Sequence, residues 1–167
     1  EDFVQASQYA DRAVQAHPKL WRTHYNRAQL HLTLGRYDDA LRSANTAKSL
    51  ARNVLAEPSI LAGQILYAKG DLDAGRREFE TAARIHPTNL TARFGVGEYF
   101  ERQENYASAL LEYGKLERQF ANNPTLMARL ARCYKQMRRW DKAWSQYVAT
   151  LNRYKELGAN PTEEIYF

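Results

Sequence analysis

The sequence predicts an all-α fold, an α-solenoid of stacked antiparallel helix pairs, and three observations carry that prediction. A short element of a turn residue, an apolar residue and a small residue recurs at nearly constant spacing, the mark of a repeat architecture. The stretches between these elements space their apolar residues for helix rather than strand. Glycine and proline are scarce, eight and five in 167 residues, too few for a turn-dense β chain.

The recurring element reads Gly35-Arg36-Tyr37-Asp38-Asp39-Ala40, Gly70-Asp71-Leu72-Asp73-Ala74-Gly75, Glu104-Asn105-Tyr106-Ala107-Ser108-Ala109 and Arg138-Arg139-Trp140-Asp141-Lys142-Ala143. Its apolar residue falls at 37, 72, 106 and 140, with spacings of 35, 34 and 34. One period before Tyr37 stands Phe3, with Ala6 in register. Further columns follow: Ala44, Phe79, Tyr113 and Tyr147, then Ala47, Ala82, Leu116 and Thr150. Upstream of each element a small residue recurs as Ala28, Gly63, Gly97 and Ala131.

Taken in order, residues 1–18 are expected to be the second helix of a partial repeat. Residues 21–54, 56–89, 90–123 and 124–158 are expected to be four complete repeats, and 161–167 the start of another, all within a single domain spanning 1–167. In the first complete repeat Leu20, Trp21, Tyr25, Ala28 and Leu32 form one apolar helical stripe; Tyr37, Ala40, Leu41, Ala44, Ala47 and Ala51 form the second. Small residues at facing positions let two helices approach closely. Asn123-Pro124-Thr125, repeated as Asn160-Pro161-Thr162, sets a capping side chain before a proline at the first helical position. Glu163 adds a partial capping box.

These columns resemble the tetratricopeptide repeat family, whose 34-residue pattern has a Leu-Gly pair, a Tyr, an Ala-x-x-x-Phe and a Pro. The matching residues are Gly63 and Leu66 with Gly75, Phe79 and Pro87; Gly97 and Phe100 with Ala109 and Tyr113; and Ala131 and Tyr134 with Ala143 and Tyr147. The family's early tryptophan column reads His24, Ser59, Arg93 and Met127 here. The resemblance implies a right-handed superhelix whose first helices line a concave groove for a partner peptide or helix. In that register the groove-facing candidates are Arg22, Tyr25, Asn26, Gln29, Ile60, Gln64, Tyr67, Phe94, Glu98, Glu101, Arg132 and Lys135. Gln29 and Gln64 occupy equivalent positions and offer both donor and acceptor to an extended backbone; Tyr25, Tyr67 and Phe94 supply apolar anchors. The family's two-carboxylate clamp would need lysines and asparagines where Tyr25, Gln29, Ile60 and Gln64 stand. Its asparagine ladder is missing too, since Asn26 is followed in register by Leu61, Gly95 and Arg129.

Nothing in the chain calls for a cofactor, a metal or a catalytic site. His24 and His31 are about 10 Å apart along a helix, too far to share an ion, and His17 and His86 precede prolines at repeat boundaries. Gly95-Val96-Gly97 lies in a helical stretch with no preceding strand, and Phe100 stands where a third phosphate-loop glycine belongs. Gly97 is accounted for by close helix packing; Gly95 is a helix-interior glycine tolerated at some cost. Cys133 is read as a small buried hydrophobe, and Tyr37, Tyr106, Tyr113, Tyr134, Tyr147 and Trp140 as packing residues. Carboxylates sit in ion-pairing positions such as Glu112 with Lys115. The chain is therefore expected not to be an enzyme, though it could be the accessory arm of one whose catalytic domain lies elsewhere.

The net charge of +5 is concentrated. Residues 124–158 hold eight Lys/Arg against two Asp/Glu, whereas the remaining chain holds 16 against 17. Arg129, Arg132 and Lys135 follow one helix face, and Arg138, Arg139 and Lys142 follow in the turn. This basic patch suits an acidic protein segment, or phosphates and nucleic acid as the alternative; base stacking is not expected while Tyr134 and Trp140 are assigned to the core. The apolar stretch 60–68 is far short of the roughly 20 residues of a membrane span, and no membrane insertion is expected. Neither end carries a polar capping repeat and the chain lacks an initiator Met, so a segment of a longer array is expected, with self-association through its ends an option. Taken together, the sequence points to a soluble protein–protein interaction scaffold within a larger assembly; its single cysteine fits either side of a membrane, and the lean is to the cytoplasm or nucleus.

Overall fold

The chain reverses direction repeatedly through one kind of tight turn. A computed structural model describes residues 2–160, among which the secondary structure is helical throughout, with no strand. The helices are α1 (Asp2–Ala16), α2 (Trp21–Thr33), α3 (Tyr37–Leu50), α4 (Ala56–Lys69), α5 (Leu72–Ile85), α6 (Leu90–Arg102), α7 (Tyr106–Phe120), α8 (Pro124–Gln136) and α9 (Trp140–Glu156). The fold class is the all-α, stacked-pair solenoid that the periodicity predicts. The further repeat expected from Pro161 to Phe167 lies outside the described residues.

Within the pairs α2/α3, α4/α5, α6/α7 and α8/α9, the turn holds one residue in the left-handed region: Gly35 (φ 69°), Gly70 (φ 94°), Glu104 (φ 56°) and Arg138 (φ 57°). The amide that follows each one reaches back to the helix it has left. Arg36 N–H donates to His31 O (2.9 Å), Asp71 to Leu66 (2.9 Å), Asn105 to Phe100 (2.8 Å) and Arg139 to Tyr134 (2.9 Å). This six-to-one bond over a left-handed residue satisfies a carbonyl at the helix C-terminus and turns the chain back on itself.

Several second and first helices begin on an Asx cap. Asp71 Oδ1 accepts from Ala74 N–H at 3.0 Å, Asn89 from Ala92 at 2.9 Å, Asn105 from Ser108 at 3.1 Å and Asn123 from Leu126 at 3.0 Å. At α8 Pro124 follows the cap at the start of the helix, as the Asn-Pro-Thr signature predicts. Asn123→Ala is expected to cost about 1 kcal/mol, measured by urea melts followed at 222 nm.

The helices gather into two compact units, Glu1–Gly95 and Val96–Phe167. In the first, Ala28, Ala40, Ala44, Leu61, Ala62 and Ile65 are buried together, with Tyr25, Leu32, Tyr37 and Leu41 packed at the edge. A second cluster joins Ala56, Ala82, Ala83 and Ala92, edged by Ile60 and Ile85. Phe79 of α5 fills the space left by two glycines. A Cβ at Gly95 would lie 2.4 Å from its ring, and one at Gly63 would lie 3.0 Å away. Gly95 is therefore not merely tolerated in its helix; the Phe79 ring occupies the place a methyl group would take.

In the second unit Ala131, Ala143 and Tyr147 form the α8/α9 core with Ala128, Tyr134 and Tyr154, and Tyr113, Leu116, Leu126 and Cys133 are fully buried. Tyr113 lies across Gly97, where a Cβ would come within 2.2 Å of the ring. The small-residue column that included Gly63 and Gly97 thus does what close helix approach requires. Trp140 departs from the expectation of a core residue: it is 58% exposed.

Candidate functional site

The groove candidates stand on the first helices, and in the first unit they split into exposed and half-buried sets. Arg22, Asn26 and Gln29 on α2 and Gln64 on α4 are exposed, while Tyr25, Ile60, Tyr67 and Phe94 are half-buried. That mixture is what the 3.6-residue period produces along the margin of a packed helix. The Arg22 guanidinium lies over the Trp21 ring, 5.1 Å from its centroid, and Trp21 meets Tyr25 edge-on at 5.8 Å. Partial burial, and secondarily the nearby Glu57 charge, push the Tyr25 hydroxyl above its ordinary pKa, so it remains a hydrogen-bond donor. Tyr67 is tied down at its polar end, since its hydroxyl donates to Gly95 O at 2.7 Å. Its ring also stands edge-on to Phe79 at 5.1 Å.

In the second unit Glu98 is paired with Arg102 one turn along, at 2.7 Å. Glu101 behaves quite differently. Its side chain is only 1% exposed, and its carboxylate accepts from the Tyr113 hydroxyl at 2.5 Å, from Arg132, and from Arg129 at 3.4 Å. Three helices, α6, α7 and α8, thereby meet at one carboxylate. A buried charge persists only with such partners. Glu101 is consequently taken up inside the unit, and what it presents to a partner is not its carboxylate.

The same contact changes the basic patch. Arg129 and Arg132 do follow one face of α8, but both turn toward Glu101, leaving their side chains 22% and 38% exposed. Lys135 is half-buried, whereas Arg138, Arg139 and Lys142 are exposed where the chain enters α9. The outward charge of this unit is thus concentrated in the turn rather than along α8. Lys142 Nζ stands 5.6 Å from the Tyr134 ring centroid, and Arg138, Arg139, Trp140, Asp141 and Lys142 together line a shallow surface pocket. The Glu101 contact eluded sequence reasoning because its arginines lie 28 and 31 residues away, beyond any spacing within one helix. The pairing of Glu112 with Lys115 is present at 2.5 Å.

Cys133 is buried, as read from the sequence. Burial first, and the Glu101 charge second, push its thiol from about 9 up to about 12, against the opposing pull of Arg132 and Arg129. A thiolate is the reactive form, so the native thiol is expected to be inert to a disulfide-exchange reagent at pH 8 and to react at once in urea. Fast native labelling would contradict the burial. Because the folded pKa is raised, this thiol's contribution to stability is fully present below about pH 9 and is lost as pH climbs toward 12. His24 is buried with Nε2 2.8 Å from Pro18 O. Among the described residues no group of three or more His, Cys, Asp or Glu is placed to hold a metal ion, and no helix is long and apolar enough to cross a membrane.

Comparison with known proteins bears on the fold. A sequence profile of the tetratricopeptide repeat matches residues 1–53 and 60–124. No curated protein matches the sequence. Among solved structures, the crystal structure of MamA superposes with a TM-score of 0.82 at 16% identity, over 94% of this chain and 91% of that one. TTC0263, a thermophilic TPR protein of Thermus thermophilus, gives 0.73 at 19% identity over 92% and 84%. YrrB, described as a TPR protein with an unusual peptide-binding site, gives 0.73 at 17% identity over 95% and 88%.

Proposed function

Because this chain belongs to the tetratricopeptide repeat family, we propose that it is a non-catalytic scaffold holding a partner peptide or helix along its first helices, as part of a larger assembly. The observation that carries this reading is the pair Gln29 and Gln64, equivalent in register and both exposed on α2 and α4. Each can donate to and accept from an extended backbone. Half-buried Tyr25, Ile60 and Phe94 beside them supply apolar contacts on side chains already held by packing, which keeps the ordering cost of binding low. Arg22, exposed on the same helix as Gln29, favours a segment bearing carboxylates. Repeats 21–54, 56–89, 90–123 and 124–158 are the structural modules of this scaffold, and YrrB supplies a precedent for peptide binding on the same fold.

Immobilised chain, incubated with extract and eluted for protein and nucleic acid, tests the reading. Capture of distinct proteins is expected, lost in a Gln29→Arg/Gln64→Arg variant and kept in Arg138→Glu/Arg139→Glu. Recovery of nucleic acid alone, released by moderate salt, would show a polyanion-binding arm instead.

A further inference from the structure

Two first helices of the first unit carry the same pair of side chains at equivalent positions of the repeat. On α2 half-buried Tyr25 is followed one turn later by exposed Gln29, and on α4 half-buried Ile60 is followed by exposed Gln64. Tyr25 packs at the edge of the cluster that joins Ala28 of α2 to Leu61 and Ile65 of α4. Ile60 packs at the edge of the next cluster, which joins Ala56 of α4 to Ala92 of α6. Each step between first helices thus sets an apolar side chain at the junction and a primary amide one turn along.

The length of that step selects the conformation of a ligand. Packed helix axes lie about 8–10 Å apart, and small residues at the contact, here Ala28 and Ala62, keep the step in that range. A chain that engages both glutamines alike has to present the same face once per step. A β-strand does so every two residues, about 6.7 Å, or every four, about 13 Å, and matches neither. An α-helix holds its carbonyls in its own hydrogen bonds. A polyproline II helix repeats every three residues, about 9.3 Å, and its backbone makes no internal hydrogen bonds. Its carbonyls are the acceptors that two side-chain NH2 groups call for. Tyr25 suits the same ligand, because its ring stands edge-on to Trp21 at 5.8 Å and aromatic walls receive proline rings.

We propose, building on the first-helix reading above, that the segment held here is a proline-rich polyproline II helix. Carbonyls three residues apart accept from the Gln29 and Gln64 amides, and proline rings lie on Tyr25 and Ile60. Proline presets this conformation, so little ordering entropy opposes binding.

The test uses the full chain, labelled with nitrogen-15, and three capped fifteen-residue peptides: a proline oligomer, a glycine–serine repeat and an amphipathic helix of leucine and glutamate. The readout is the side-chain amide signals of Gln29 and Gln64, assigned by their loss in Gln29→Ala and Gln64→Ala. The proline peptide is expected to shift both signals saturably, at least tenfold more tightly than the glycine–serine peptide. Gln29→Ala should weaken that binding about fivefold, roughly the worth of one hydrogen bond, as read on the Gln64 signal. Gln64→Ala should do the same as read on Gln29, each with helicity at 222 nm unchanged. Equal or tighter binding of the glycine–serine or helical peptide at these signals overturns the proline assignment and leaves the first-helix reading standing. Signals that move with protein concentration alone overturn it in favour of a second copy. No shift with any peptide also overturns the proposal; the first-helix reading falls with it only if capture from extract is indifferent to Gln29→Arg/Gln64→Arg.

Discussion

Alanine at position 97 is expected to destabilise the second unit by about 3 kcal/mol, the upper end of the usual cost of overpacking a core. On an isolated helix the same change would stabilise by about 1 kcal/mol, because glycine is the poorer helix former. Packing reverses the sign. The new Cβ would sit 2.2 Å from the ring of Tyr113, which is fully buried and cannot swing aside without releasing its hydrogen bond to Glu101. Gly114 provides the internal control, since nothing lies within 4 Å of a Cβ there and the residue is exposed in α7. Gly114→Ala is expected to raise stability by about 1 kcal/mol. Urea melts of the two variants side by side should move in opposite directions; a Gly97→Ala protein as stable as the parent would refute the packing account.

Removing the carboxylate of Glu101 has an effect of similar size for an electrostatic reason. Glu101→Ala removes the carboxylate that accepts from the Tyr113 hydroxyl and takes a counter-charge away from Arg129 and Arg132. Breaking a buried pair by deleting one partner costs about 3–5 kcal/mol. Arg129 and Arg132 keep some contact with water, which places the expected loss near the lower bound, at about 3 kcal/mol. Glu101→Gln retains an acceptor for the Tyr113 hydroxyl and is expected to lose about 2 kcal/mol. Combining Glu101→Ala with Arg132→Leu should cost less than the two changes added, because the second removes a charge the first has stranded. Strict additivity in thermal melts would mean that the contact is not an energetic unit.

The helices and their turns were legible because they depend on residues close in sequence. The six-to-one turns occur where Gly35, Gly70, Glu104 and Arg138 mark the period, and Asn123-Pro124 caps α8 as its residue types dictate. Contacts between repeats were legible only in part. A column tells which side chains face a neighbouring helix, but not whether a neighbour is there to cover them. Trp140 shares a column with half-buried Tyr37 and Tyr106 and is nevertheless exposed. Gly95 looked dispensable because its reason is a ring 16 residues earlier, on Phe79. Glu101 fell on the groove side by register, and only the tertiary structure reveals the arginines that draw its carboxylate inward. For the charge-rich last repeat, a count along the sequence overstates the outward field, because it omits a counter-ion supplied by α6.

The four tight turns also differ in a way that bears on how the protein melts. Those of the first unit carry glycine at the left-handed position, whereas those of the second carry Glu104 and Arg138. A side chain there costs roughly 1–2 kcal/mol, offset in part because glycine would make the unfolded chain more disordered. The first unit meets the same cost between its helix pairs, at Arg52 and Asn53 (φ 54° and 55°) after α3, so each unit carries two side chains in this conformation. In a repeat protein, where cohesion is local and each module stands largely on its own contacts, strain at residues 52–53, 104 and 138 is felt by the modules on either side of it and is not diluted over the chain.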